Sequence, residues 1–140
     1  MKNYELIEHT ADIGIRLKAK SLNELFKNAA LAMFEIMAED KSPVACHRSP
    51  VKIDIEQKAD NIEELFINWL NELLSLSAVK ELIFSDFAIK KLTEKSIEAV
   101  ALGEDASDYK VNVEIKAATY HQLKLEQSKA GWLGEVIFDV

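Results

Sequence analysis

Ile13, Ile15 and Leu17 alternate with Gly14, Arg16 and Lys18, the two-residue period of a strand with one buried face. Tyr4-Glu5-Leu6-Ile7-Glu8 predicts a shorter strand ahead of it, with His9-Thr10-Ala11-Asp12 as the connection. The period then changes. Leu22, Leu25, Phe26, Ala29, Met33 and Met37 recur at helical spacing behind a Ser21/Glu24 capping-box signal, predicting a helix from Leu22 to Ala38. Residues 39–50 hold both prolines and several polar side chains and predict a loop. Val51, Ile53 and Ile55 then alternate with Lys52, Asp54 and Glu56 as another strand. Asp60 with Glu63 opens a second capped helix, with Leu65, Phe66, Trp69, Leu70 and Leu73 on one face and Trp69 as its large anchor. Beyond Ala78 the pattern is of strands: 82–91 and 96–102 as a hairpin turning near Thr93-Glu94-Lys95, an acidic loop over 103–108, a strand entered through Val111, Val113 and Ile115 and continuing over 117–126, and a last strand over 132–139.

The order ββαβαββββ predicts an α+β fold: a mostly antiparallel β-sheet with two amphipathic helices packed on it. A length of 140 residues and a hydrophobic content of 49% suffice for one sizeable core, so a single domain over residues 1–140 is expected. Lys and Arg number 17 against 24 Asp and Glu, a net charge of -7. That sign repels phosphate backbones at long range, so no direct high-affinity nucleic-acid binding is expected; cations or a basic protein partner suit it better. Cys46 is the one cysteine, which excludes an intrachain disulfide and a multi-cysteine zinc site and fits a reducing cytoplasm. Met1-Lys2-Asn3-Tyr4-Glu5 lacks the apolar run of a signal peptide, and the helical segments carry polar residues throughout. A cytoplasmic protein without membrane association is expected.

The four glycines form neither a phosphate-binding loop nor a dinucleotide fingerprint, and no nucleophile elbow is present. Cys46-His47 reads as part of an exposed, proline-bounded loop rather than as a thiol–imidazole pair. Glu104-Asp105-Ala106-Ser107-Asp108 has the acidity of a calcium loop without its glycine or bidentate glutamate, and reads as a solvated turn. Two other carboxylates carry more interest. Asp12 either caps a turn, the commoner use, or ligates a metal. Asp139 follows Val136-Ile137-Phe138, a buried-looking strand, where a carboxylate needs a cation, a lysine or open solvent. With the carboxylate of Val140 the pair would offer a hard cation such as Ca²⁺ or Mg²⁺ an oxygen-rich set. Thr119 and His121 share a predicted strand face with Leu123 and Leu125, where a histidine is more often a hydrogen-bonded core residue than a ligand. Lys116 is either a surface lysine or a counter-charge to the acidic pair.

Five blocks together resemble the archease family. They are His9-Thr10-Ala11-Asp12-Ile13-Gly14, residues 21–26 leading into 29–33, Leu65-Phe66-Ile67-Asn68-Trp69-Leu70-Asn71-Glu72-Leu73, Ile115-Lys116-Ala117-Ala118-Thr119-Tyr120-His121 and Val136-Ile137-Phe138-Asp139-Val140. Ala118 departs from the family's β-branched preference, a change of packing rather than chemistry. The resemblance implies a protein cofactor, not itself an enzyme, that promotes guanylylation and multiple turnover of an RtcB-type RNA ligase in tRNA splicing and RNA repair. It implies a divalent cation, calcium first with magnesium or manganese as alternatives, on Asp12, Asp139 and the carboxylate of Val140. Lys116, with His9 and His121, is assigned by it to activation of the partner. Two other classes stay open: a chaperone-like binding module, and a stand-alone metal-dependent hydrolase for which the acidic residues are the only support.

Overall fold

The first strand, β1 (Tyr4–Glu8), pairs with β2 (Ile13–Ala19), and the chain then enters α1 (Leu22–Met37). The computed structural model describes residues 4–8, 12–41 and 50–140. Helix α1 starts where the capping signal puts it: Ser21 Oγ accepts the Glu24 N–H at 3.2 Å, and the Glu24 carboxylate reaches back to the Lys20 N–H at 2.8 Å. Its end has no glycine. Instead the Met37 carbonyl accepts N–H groups from Asn112 (2.8 Å) and Val113 (3.3 Å), so a distant segment satisfies the last turn.

After α1 come β3 (Ala38–Asp40), β4 (Val51–Lys58) and α2 (Ile62–Lys80). The cap of α2 is Asn61, whose Oδ1 accepts the Glu64 N–H at 2.8 Å; the expected Asp60/Glu63 pair lies one residue too early. The chain continues through β5 (Leu82–Leu92), β6 (Ser96–Asp105), a 3₁₀ turn (Ala106–Asp108), β7 (Tyr109–Val111), β8 (Ala117–Ser128) and β9 (Gly131–Asp139). The β5–β6 hairpin turns as expected, with Thr93 Oγ1 accepting the Lys95 and Ser96 N–H groups at 3.2 and 3.0 Å.

The α+β fold is as expected, but among the described residues the strands form three antiparallel sheets rather than one: β1-β2-β9-β8, β4-β6-β5, and the short pair β3-β7. Two strands were invisible to the pattern. β3 occupies part of the expected 39–50 loop, and three residues each are too few to show a period; the strand expected to enter through Val111, Val113 and Ile115 is broken instead, β7 ending at Val111 and residues 112–116 running irregularly to β8. The acidic loop itself is shorter than expected, because β6 runs on to Asp105 and leaves only the 3₁₀ turn. Cys46 and His47 lie outside the described residues.

Each helix touches both larger sheets, α1 through β2 and β5, α2 through β8 and β4. Trp69 is the anchor between them, fully buried, its indole N–H donating to the Phe26 carbonyl of α1 at 3.0 Å. Its ring stands edge-on to Phe87 of β5 at 5.7 Å, while Phe26 meets Phe66 at 5.1 Å in the same T-shaped manner. Ala99 and Ala101 of β6 are buried, and Gly103 leaves room for Phe84, whose ring a Cβ would meet at 3.1 Å. No helix among the described residues is long and apolar enough to cross a membrane.

The turn from α2 into β5 carries local strain. Glu81 caps α2 at φ 54 and ψ 48, the left-handed region that disfavours side chains with a Cβ. Its main chain is committed, since its N–H donates to Ser77 and its carbonyl accepts from Ala106. Glu81→Gly keeps both bonds and relieves the strain. It is expected to raise stability by about 0.5–1 kcal/mol, read as a shift of the urea midpoint without a change of slope.

Candidate functional site

β9 lies inside the four-stranded sheet, between β2 and β8. Ile13 pairs with Phe138 as the last residues of the β2–β9 ladder, so Asp12 and Asp139 occupy facing positions one step beyond it, although nearly the whole chain separates them. Phe138 is fully buried, and strand alternation turns Asp139 to the opposite, solvent face; Asp12, a bend residue, is half-buried. Facing positions on antiparallel strands hold Cβ atoms ~4.5–5.5 Å apart, where like charges repel and a cation or lysine lowers the cost.

On the other side of β9, Ala117 pairs with Asp139, and the Lys116 N–H donates to the Asp139 carbonyl at 2.8 Å. The fold thus gathers Asp12, Lys116 and Asp139 at one end of one sheet. The Lys116 side chain is exposed there. Val140 follows at once, and its half-buried side chain packs on the core. Two ladders and that apolar contact hold this end of β9 in place.

His9, with Thr10 and Ala11, lies outside the described residues. His121 does not lie on an apolar face, contrary to expectation; it is exposed. The ladder explains the difference. β8 pairs Thr119 with Ile137 and next Lys124 with Glu135, so five steps on β8 match two on β9, and Gln122 bulges with φ 54. Alternation fails across such a bulge, and His121 rides on it, four residues along β8 from the partner of Asp139. Among the described residues no three His, Cys, Asp or Glu side chains group as metal ligands. The set in question has two carboxylate side chains plus the main-chain carboxylate of Val140, and all-oxygen donors suit a hard divalent cation.

Sequence reasoning missed Asn71. Its side-chain amide docks on the free edge of β8, Oδ1 accepting the Ala118 N–H at 2.7 Å and Nδ2 donating to the Ala118 carbonyl at 3.2 Å. The amide thereby takes the place of a neighbouring strand and fixes the residue next to Ala117, the partner of Asp139. A signal existed: asparagine is a poor mid-helix residue, so one in the third turn of an apolar helix asks for a reason. The solvent face of the same sheet carries a charge row. Glu5, Arg16, Glu135 and Lys124 occupy successive cross-strand positions, and the Arg16 guanidinium holds Glu135 at 2.7 Å and Glu5 at 3.6 Å. The hydrogen bond and charge of Glu135 raise the Arg16 pKa further; exposed pairs of this kind contribute little stability.

The model of the Archease protein family (MTH1598/TM1083) matches residues 4–140. The chain belongs to the archease family. It is similar to the protein archease of Methanosarcina barkeri, with 37% identity over 145 residues, covering 99% of this chain and 97% of that one. Its similarity to the protein archease of Pyrococcus furiosus is 36% identity, over the whole of both chains. The solution structure of protein 1598 from Methanobacterium thermoautotrophicum superposes over 100% of both chains with a TM-score of 0.76 and 28% identity. The crystal structure of an archease, described as a possible chaperone, from Thermotoga maritima shares the fold, with a TM-score of 0.62 and 24% identity over 96% of this chain and 94% of that one.

Removing the amide that docks β8 tests the architecture of this end. Asn71→Ala leaves the Ala118 N–H and carbonyl without partners and is expected to cost about 2–4 kcal/mol in urea unfolding. Amide exchange should quicken first at Ala118 and the residues near it. A loss below about 0.5 kcal/mol would show that the amide is not what secures this edge.

Proposed function

We propose that this protein activates an RtcB-type RNA ligase as a non-enzymatic cofactor, promoting guanylylation of the ligase and its multiple turnover in tRNA splicing and RNA repair. The observation that carries the proposal is the facing position of Asp12 and Asp139 at the end of the β2–β9 ladder, in a chain of the archease family. In this reading Asp12, Asp139 and the carboxylate of Val140 hold a divalent cation, calcium first and magnesium or manganese as alternatives. When bound, such an ion supplies positive charge for phosphate oxygens of a nucleotide at the partner's site. The protein's own residues do the rest. The main-chain bond between Lys116 and Asp139 sets the carboxylate-bearing strand end, and the exposed Lys116 side chain adds a cation beside it. The exposed His121, together with His9, is assigned to contact with the partner. An acidic protein meets a basic, RNA-binding enzyme by charge complementarity without competing for its RNA.

A chaperone-like reading has one observation of its own, the exposed apolar side chains Val79 and Val111, alongside the description of the Thermotoga maritima relative as a possible chaperone. It requires suppression of aggregation of unrelated unfolded proteins in the absence of any ligase.

Mixing the protein with an RtcB-type ligase and GTP and following ligase guanylylation tests the proposal. Asp12→Ala and Asp139→Ala are each expected to abolish activation while the thermal midpoint moves little, because both residues stand at element ends. Normal activation by either variant would remove the assigned role. A residue chain appended after Val140 converts its carboxylate to an amide and is expected to weaken calcium binding in a calorimetric titration. Val140→Ala, which keeps the carboxylate and loses only packing, should bind as the parent does; equal affinity of the extended form would take Val140 out of the ligand set.

A further inference from the structure

A second surface stands at the other end of the segment that leads to Lys116. A groove of about 450 Å³ opens between the C-terminal ends of α1 and α2, the start of β5 and residues 105–115, floored by Met37, Leu74, Leu82 and Ile115. Its rim carries Glu81, Asp105 and Glu114. An adjoining cleft of about 370 Å³ shares Glu81, Leu82 and Asp105 and adds Glu104 and Asp108, with Lys80 as its one basic lining residue. Five carboxylates therefore face one lysine across the two; Lys41 stands close by, its Nζ on the Ser107 carbonyl at 3.4 Å. Asp105 accepts the Ser107 N–H, which lowers its carboxyl pKa from the ordinary value. Glu104 accepts the Tyr109 hydroxyl.

The same end of the molecule exposes apolar side chains. Five large hydrophobic residues are exposed among those described, and three of them are here: Val111 in the groove, Val51 in the adjoining cleft, and Val79 on the last turn of α2 at 78% exposure. Burying even one such side chain is worth ~1.5–3 kcal/mol, so exposed valines beside an acidic rim fit a specific kind of occupant.

We propose that this groove docks a basic amphipathic segment of a partner protein, its apolar residues seated over Leu74, Leu82, Val111 and Ile115 and its lysines or arginines against Glu81, Asp105 and Glu114. Charge complementarity decides the sign of the occupant, and the apolar floor requires regularly spaced anchors rather than charge alone. The wall formed by Glu114 and Ile115 continues directly into Lys116, whose N–H donates to the Asp139 carbonyl.

The test needs neither ligase nor metal, so its outcome is separate from that of the activation assay. Isotope-labelled protein is titrated with a short synthetic amphipathic peptide of leucine and lysine, and with a leucine–glutamate counterpart. Amide shifts are expected over residues 77–83 and 105–115 with the lysine peptide only. Glu81→Lys with Glu114→Lys, and separately Val111→Asp, should each weaken binding about tenfold, a size in keeping with rim charges and one lost apolar contact. All these residues are exposed, and circular dichroism should show unchanged folding. Glu94→Lys, at the far end of the β5–β6 hairpin, should leave binding as it was. Shifts elsewhere, equal weakening by Glu94→Lys, or equal binding of the glutamate peptide would overturn the proposal. So would concentration-dependent shifts at the groove without peptide, which would make its occupant a second copy of this chain.

Discussion

The pairing of β9 with β2 on one side and β8 on the other is the constraint on which the rest of the molecule depends. It closes a loop over most of the chain, at an entropic cost on the order of 4 kcal/mol by the logarithmic law. That cost is offset beneath the sheet, where Ile15, Leu17, Val136 and Phe138 are all buried to within 1% of completeness. At ~1.5–3 kcal/mol for each such side chain, the balance is favourable. An interior strand also has no free edge, which leaves β8 and β1 as the edges to be managed. Asn71 occupies part of the β8 edge with its side-chain amide, so a helix does there what another strand would do.

The helices serve as the joint between two sheets whose strands are far apart in sequence. Trp69 links α1 and α2 by a hydrogen bond and meets the three-stranded sheet through Phe87. The helix ends are equally connected. The Met37 carbonyl takes its donors from Asn112 and Val113, and the buried Ser77 hydroxyl donates to the Leu82 carbonyl. These bonds fix residues 112–116, which have no ladder of their own, between the end of α1 and the end of β9.

That irregular segment connects the two surfaces of functional interest. Its last residue, Lys116, meets Asp139 beside Asp12, and just before it Glu114 and Ile115 wall an apolar groove. The proposed cation site and the proposed groove for a basic segment make compatible use of an acidic protein with a charge of -7. Both draw on carboxylates whose main chain is held in ladders or turns, so the charges are positioned before any partner arrives.

Much of the fold was legible in the sequence, because the elements that matter most are long and periodic. The two helices, β1, β2, β4 and the β5–β6 hairpin stand where the alternation of apolar and polar positions puts them. β3 and β7 were not legible, since three residues show no period, and neither was the bulge that exposes His121, since periodicity presumes an unbroken ladder. The types of the candidate residues, and the family they resemble, came from the sequence alone. Their proximity was implied by that resemblance and by no pattern in the residues themselves. Asp12 faces Asp139 only because one antiparallel register among many pairs Ile13 with Phe138, and a slip of one residue would turn Val136 and Phe138 away from the core they fill. Local propensity writes the elements, but the register that brings two ends of a chain together is chosen by burial of the whole core, which no short stretch of sequence contains.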